Sequence, residues 1–244
     1  FSPEIISLMQ KENKLASDYS KLVASAQVEF NGETLTLAQL GPYAESTDRD
    51  TRKKAKETSS GFFHKNEAKF DDLYDQLVKV RHEIATTLGY KNFVELGYIR
   101  MNRIDYNAEM VKKFRDQVRD FIVPVATRLY ERQAKRIGVD SLKYYDEPFN
   151  FLSGNATPQG SPEWIVENGK KMYEELSPET AEFFQFMIDR ELMDIKKKKG
   201  KEAGGYCTFI DNYESPYIFS NFNGTSGDID VLTHEAGHAF QVYT

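Results

Sequence analysis

The chain has 244 residues, enough to bury one large hydrophobic core or two modest ones. With 32 basic and 38 acidic residues its net charge is −6, which argues against nucleic-acid binding, and no apolar run approaches the ~18 residues of a membrane span. The single cysteine, Cys207, rules out an intramolecular disulfide and points to a reducing, cytoplasmic setting.

The chain opens at Phe1, already inside what reads as a helix, so a fragment or processed product of something longer, cut at both ends, is expected. From Pro3 to about Ala26, Ile5, Leu8, Leu15, Tyr19, Leu22 and Val23 recur at helical spacing. VEFNGETLTL (28–37) sets Asn31-Gly32 between apolar and β-branched residues, a hairpin signal. Ser46-Thr47-Asp48 is a helix start. A long charged, amphipathic region follows to Gly89, with a break expected near Ser59-Ser60-Gly61. Asn92 to about Arg100 reads as a short helix. Asn107 to Ile137 reads as a longer one, kinked at Pro124 and closed by Gly138.

Residues 139–160, rich in Tyr, Pro, Gly and Asn, read as strand and loop. Ser161-Pro162-Glu163 starts a helix that runs to about Leu176, with Trp164 anchoring its packing. Another helix is expected from Ser177 to Lys199, with Lys196 to Lys199 in its last turn and Gly200 as its cap. Two strand-like segments, GGYCTFI (204–210) and SPYIFSNF (215–222), precede a final helix. The expected fold class is mainly α, with a small β element before that helix.

The final helix carries LTHEAGHAFQVYT, in which His234, Glu235 and His238 form H-E-x-x-H. Thr225-Ser226-Gly227-Asp228 has the form of a capping box. Ile229, Leu232, Ala236, Phe240 and Tyr243 then form one apolar stripe, with Ala239 beside them and both histidines on nearly the opposite face. Four residues apart on one face suits two imidazoles to a single zinc ion. Glu235, ~100° round from His234, is poorly placed as a ligand but suits a general base acting on water. A hydrolytic site of this kind needs a third protein ligand. Among the nearest acids are Asp211, Glu214, Asp228 and Asp230, of which Asp228 and Asp230 are better explained by the helix cap and dipole. Two-histidine binding of zinc would be weak.

GGYCTF followed by SPYIFSNFNGTSGDIDVLTHEAGHAFQ resembles the catalytic core of the oligoendopeptidase F branch of the thimet-oligopeptidase-like metallopeptidases. AQVEFNGETLTLAQL with STDRDTRKKA resembles that branch's N-terminal region. The resemblance implies a multi-helix part of a two-lobed, zincin-like fold around a channel that admits short peptides. Residues 1–65 would end the N-terminal region, and 66–244 would begin the catalytic domain. It implies His234 and His238 as zinc ligands, Glu235 as catalytic base, and a third ligand, a glutamate about two dozen residues past the motif, beyond this chain. The strand from Gly204 would lie beside the cleft, with Gly204, Gly205 and Tyr206 meeting an extended peptide. Cys207 reads as a packed strand residue, and His64 and the His82-Glu83 pair as structural or surface groups. The expected activity is zinc-dependent hydrolysis of short peptides by the parent protein, with this chain inactive alone. The alternative is a non-catalytic helical module that binds peptides or a partner chain and self-associates through uncovered apolar surface.

Overall fold

The computed structural model describes Ser2–Thr244; Phe1, read above as helical, lies outside the described residues. The chain divides into two compact units, one of Phe1–Val23 with Gly61–Glu147 and the other of Ala24–Ser60 with Pro148–Thr244. Helix predominates, accompanied by two small sheets.

In chain order the elements are α1 (Ile6–Ala24), the hairpin β1 (Val28–Phe30) and β2 (Glu33–Leu35), the short α2 (Gly41–Ala44), and α3 (Arg49–Lys65). Next come α4 (Glu67–Thr87), α5 (Phe93–Arg100), α6 (Ala108–Gln117), a π-helical turn at Val118–Ile122, and α7 (Val123–Arg136). Then follow α8 (Pro162–Leu176), α9 (Pro178–Asp189), β3 (Met193–Lys196), β4 (Tyr206–Ile210), β5 (Ser215–Phe222) and α10 (Gly227–Tyr243).

The first unit packs Ile5 and Leu15 against Val80, Ile84 and Ala85 of α4 and Leu96 of α5. Inside this apolar contact Glu12 is buried and ion-paired to Arg81 at 2.8 Å and Arg100 at 2.9 Å. The predicted break at Ser59–Gly61 is not there: α3 continues to Lys65, and Asn66 ends it, donating its side-chain amide to the Phe62 carbonyl. One interior glycine costs only about 1 kcal/mol against alanine, too little to stop a helix held at both ends. Where a kink was expected at Pro124, a π turn stands just before it. Pro124 has no N–H to donate and its ring crowds the carbonyl four residues back, which a wider turn relieves.

In the second unit Asn31 and Gly32 take φ of 52° and 85°, the left-handed pair that a tight two-residue hairpin requires. The second sheet has the order β3-β5-β4, with β3 parallel and β4 antiparallel to the central β5. The buried residues of α8, α9 and α10 (Ile165, Phe183, Phe184, Met187, Leu232, Ala236) pack with Ile218 and Phe222 of β5 into one core.

Three expectations here need correction. α9 ends at Asp189, and Met193–Lys196 form a strand whose parallel partner lies some two dozen residues ahead in β5. The lysine run is therefore a strand end and turn: Lys196 pairs with Glu163, holding that carboxyl at about 2, and Lys198 pairs with Asp194 at 3.0 Å. Residues 139–160 form turns and bends with no strand. Trp164 is 37% exposed; it folds back over Gly160 and does not enter the core.

Candidate functional site

Helix α10 is seated by the stripe from Leu232 through Ala236 and Ala239, all buried, while Phe240 and Tyr243 each place their rings 5.4 Å from Phe183. Ile229, assigned above to the same stripe, is 39% exposed. The first turn is held by polar contacts instead. The Asp228 carboxylate is buried and accepts the backbone N–H of Asn223 at 2.8 Å and of Gly224 at 2.7 Å. The expected capping box is thus replaced: the Thr225 hydroxyl bonds to Asn223 Oδ1, and the carboxylate reaches past the cap to the two residues before it. Charged hydrogen bonds of this kind contribute about 1.5–3 kcal/mol each.

This seating leaves His234 and His238 exposed on the far side. Their Nε2 atoms are 3.1 Å apart, with ring centroids at 4.7 Å and planes at 81°. Two nitrogens bound tetrahedrally at about 2.0–2.1 Å would be about 3.3 Å apart, so the pair fits two corners of a zinc site. Among the described residues no group of three His, Cys, Asp or Glu side chains comes together, and Asp211, Glu214, Asp228 and Asp230 do not join the histidines. Glu235 differs from its neighbours. It is only 8% exposed, makes no hydrogen bond or ion pair with the described residues, and borders a cleft of about 400 Å³.

The other wall of the cleft is β4, an edge strand. Gly205 permits its close approach to α10: a Cβ there would lie 3.0 Å from Val231 Cγ1 and 3.4 Å from the Phe219 carbonyl oxygen. Gly204 stands at φ 107°, where side chains are strained, and does not border the cleft. The loop before β4 is pinned from β5. Asn221 donates its amide to the carbonyls of Glu202 (2.7 Å) and Gly204 (2.9 Å). The Lys201 ammonium, 6% exposed, donates to the carbonyls of Asp194, Lys196 and Ser220. Burial pulls its pKa down, opposed in part by the Asp194 carboxylate. No local pattern marks Lys201, because its partners, three carbonyls and the Asp194 carboxylate, come together only when β3 and β5 pair.

Gly205 and Tyr206 therefore meet Glu235 and His238 at one cleft, while Gly204 shapes the turn into it and His234 lies outside its lining. Sequence reading missed Phe209, Gln241 and Val242, which line the same cleft. Cys207 borders it as well as packing on the core, and burial together with the Glu235 charge pushes its thiol up. His64 is exposed beside Glu67, and His82 and Glu83 are exposed on α4. No helix is long and apolar enough to cross a membrane among the described residues.

Peptidase family M3 matches residues 42–156, upstream of the motif helix. The chain is 26% identical over 251 aligned residues to the oligoendopeptidase F homolog of Borreliella burgdorferi, a match taking in 97% of this chain and 42% of that protein. A solved structure of PZ peptidase A with an inhibitor covers all of this chain with 43% of its own length, at 66% identity and a TM-score of 0.98. A Bacillus anthracis strain Ames structure, provisionally assigned as oligoendopeptidase F, does so with 45% of its length, at 60% identity and a TM-score of 0.96. The chain thus spans less than half the length of each of these relatives. With a family M3 match inside it and structures provisionally assigned as oligoendopeptidase F following its whole course, the chain is similar to peptidases of family M3 and, among them, to oligoendopeptidase F.

Proposed function

We propose that this chain is part of a zinc-dependent peptidase that cleaves short peptides, with His234 and His238 as two of the metal ligands and Glu235 as general base. The observation that carries the reading is the convergence of the two Nε2 atoms at 3.1 Å, one residue from Glu235, which is 8% exposed, has no hydrogen-bond partner among the described residues and borders a cleft. Zinc held there would act as a Lewis acid that acidifies water and polarises the scissile carbonyl. Glu235 takes the proton from the attacking water and delivers it to the departing amine nitrogen as the carbon–nitrogen bond breaks. The free edge of β4 supplies backbone hydrogen bonds that hold the peptide extended, with Gly205 and Tyr206 at its start. Alone, with no third ligand among the described residues, the chain binds zinc weakly and is inactive as a peptidase. A cytoplasmic site of action is part of the same reading, supported by the single unpaired cysteine.

Calorimetric zinc titration tests this. Weak one-to-one binding, lost in His238→Ala, is expected, with no hydrolysis of short peptides. Binding unchanged by His238→Ala would remove the histidines from the site. Hydrolysis by this chain that Glu235→Gln abolishes would overturn its inactivity.

A second reading, a non-catalytic module that self-associates, is favoured by one observation. α6 and the π turn bury no residue, and Met110, Phe114, Phe121 and Leu129 stand exposed along that stretch and α7. Sedimentation that shifts with concentration, and ceases to shift in Phe114→Lys/Phe121→Lys, is its expected result; a monomer at every concentration rejects it.

A further inference from the structure

Strand β4 and helix α10 keep step with each other. Gly205 lies against Val231, and two strand residues later Cys207 lines the same cleft as Glu235, four helix residues on. Two strand residues advance about 6.6 Å and four helix residues about 6 Å, so the two elements run side by side in the same direction. One further step carries the cleft to Phe209 on the strand, opposite Gln241 and Val242 on the helix. This end is apolar and open: Phe209 is 38% exposed and Val242 44%. Among the described residues no lysine or arginine borders the cleft, and Glu235 is its only carboxylate.

From this geometry we propose that the cleft selects an extended peptide bearing an uncharged, apolar side chain at the residue seated between Phe209 and Val242. That residue lies about two positions from the one beside Glu235. The inference rests on the reading of this cleft as a peptide site. Two observations identify the occupant as a strand-like peptide. β4 has an unpaired edge, which an extended chain completes by backbone hydrogen bonding. The unpartnered Glu235 carboxylate also faces the same space. Side chains of a strand alternate between faces, so only every second residue of the peptide enters the cleft. Selectivity should therefore fall on one position and leave its two neighbours indifferent. A single methylene more or less in a hydrophobic pocket changes discrimination by about 10–200-fold.

The experiment is fluorescence anisotropy with labelled alanine-rich hexapeptides, each carrying one guest residue (Leu, Ser, Asp or Lys) moved along the sequence. Wild type, Phe209→Ala and Val242→Lys are compared, with circular dichroism confirming their helix content. In wild type, Leu at one position should bind at least about tenfold tighter than Ser or Asp there, with little effect at adjacent positions. Phe209→Ala should remove most of that preference, and Val242→Lys should shift it toward Asp. Val242 is a solvent-facing helix residue, so its replacement tests the pocket even if Phe209→Ala fails to fold. Binding with no guest preference, or a Leu preference that survives Val242→Lys, overturns the pocket and leaves peptide binding standing. No binding of any guest to wild type overturns both.

Discussion

Phe183→Ala is expected to cost about 3–5 kcal/mol in unfolding free energy, among the largest losses any single side chain in the second unit would cause. Phe183 has no exposed surface, and its ring lies 5.4 Å from both Phe240 and Tyr243 and 6.4 Å from Phe184. Truncation removes the ring's own burial and leaves a cavity that α9, α10 and the sheet cannot all close at once. Natural domains are stable by only about 5–15 kcal/mol, so a large share of the margin would go. The loss has a direction. Phe240 and Tyr243 sit on the last two turns of α10, so the helix should loosen from that end, taking His238 with it. Amide exchange in residues 236–243 should then accelerate more than in β5, and, on the proposed role of His238, zinc affinity should fall without a substitution at the site. Phe183→Leu should recover most of the stability. Trp164→Ala, at a side chain 37% exposed, should cost under about 1 kcal/mol. A loss below that level for Phe183→Ala would mean that α10 is seated by something other than this aromatic contact.

The elements that could be read from sequence are those whose determinants are local. Asn92, Asn107, Ser161 and Ser177 each cap the helix that follows, through a side-chain oxygen and an N–H two or three residues on. Strand β5 occupies the predicted residues, because its alternation of buried and half-buried positions is written into SPYIFSNF. What could not be read depends on distant partners. MDIKKKK has the composition of a helix end, yet Glu191 turns at φ 53° and Met193 pairs with Ile218, so a ladder to a later strand overrides local propensity. The replaced capping box is a milder case. The carboxylate lies where the pattern put it, but its acceptor oxygens serve N–H groups outside the four-residue window.

At the site, the i, i+4 spacing is enough to foresee that His234 and His238 share a face, since that is a property of any helix. The environment of Glu235 is not. Its angular position puts it between the apolar stripe and the histidines, and only the arrival of β4 turns that flank into a cleft wall. For the same reason Phe209 and Val242 carry no signal of their own. Each is an ordinary half-exposed apolar residue until strand and helix are laid side by side in register.

The second large effect is expected in the first unit. Glu12 is an acidic residue on an amphipathic helix, indistinguishable in sequence from a solvated one, yet its side chain is only 6% exposed and held between Arg81 and Arg100. Both guanidinium groups also lie over Phe93, at 5.8 and 5.6 Å from the ring centre. Breaking a fully buried ion pair by removing one partner costs about 3–5 kcal/mol. Here the arginines remain 41% and 36% exposed and can rehydrate, so Glu12→Ala should cost less, about 2–3 kcal/mol. Burial alone would raise the Glu12 pKa, but hydrogen bonds and charge from Arg81 and Arg100 outweigh it and leave the carboxyl below its ordinary 4.5. A depressed folded-state pKa means that the stabilisation is complete above the unfolded value and is lost as pH falls through the folded one. Unfolding of wild type and Glu12→Gln should therefore differ most at neutral pH and converge under acid, below pH 4.5. A gap that stays constant over that range would assign the role of Glu12 to packing of its methylenes and not to its charge.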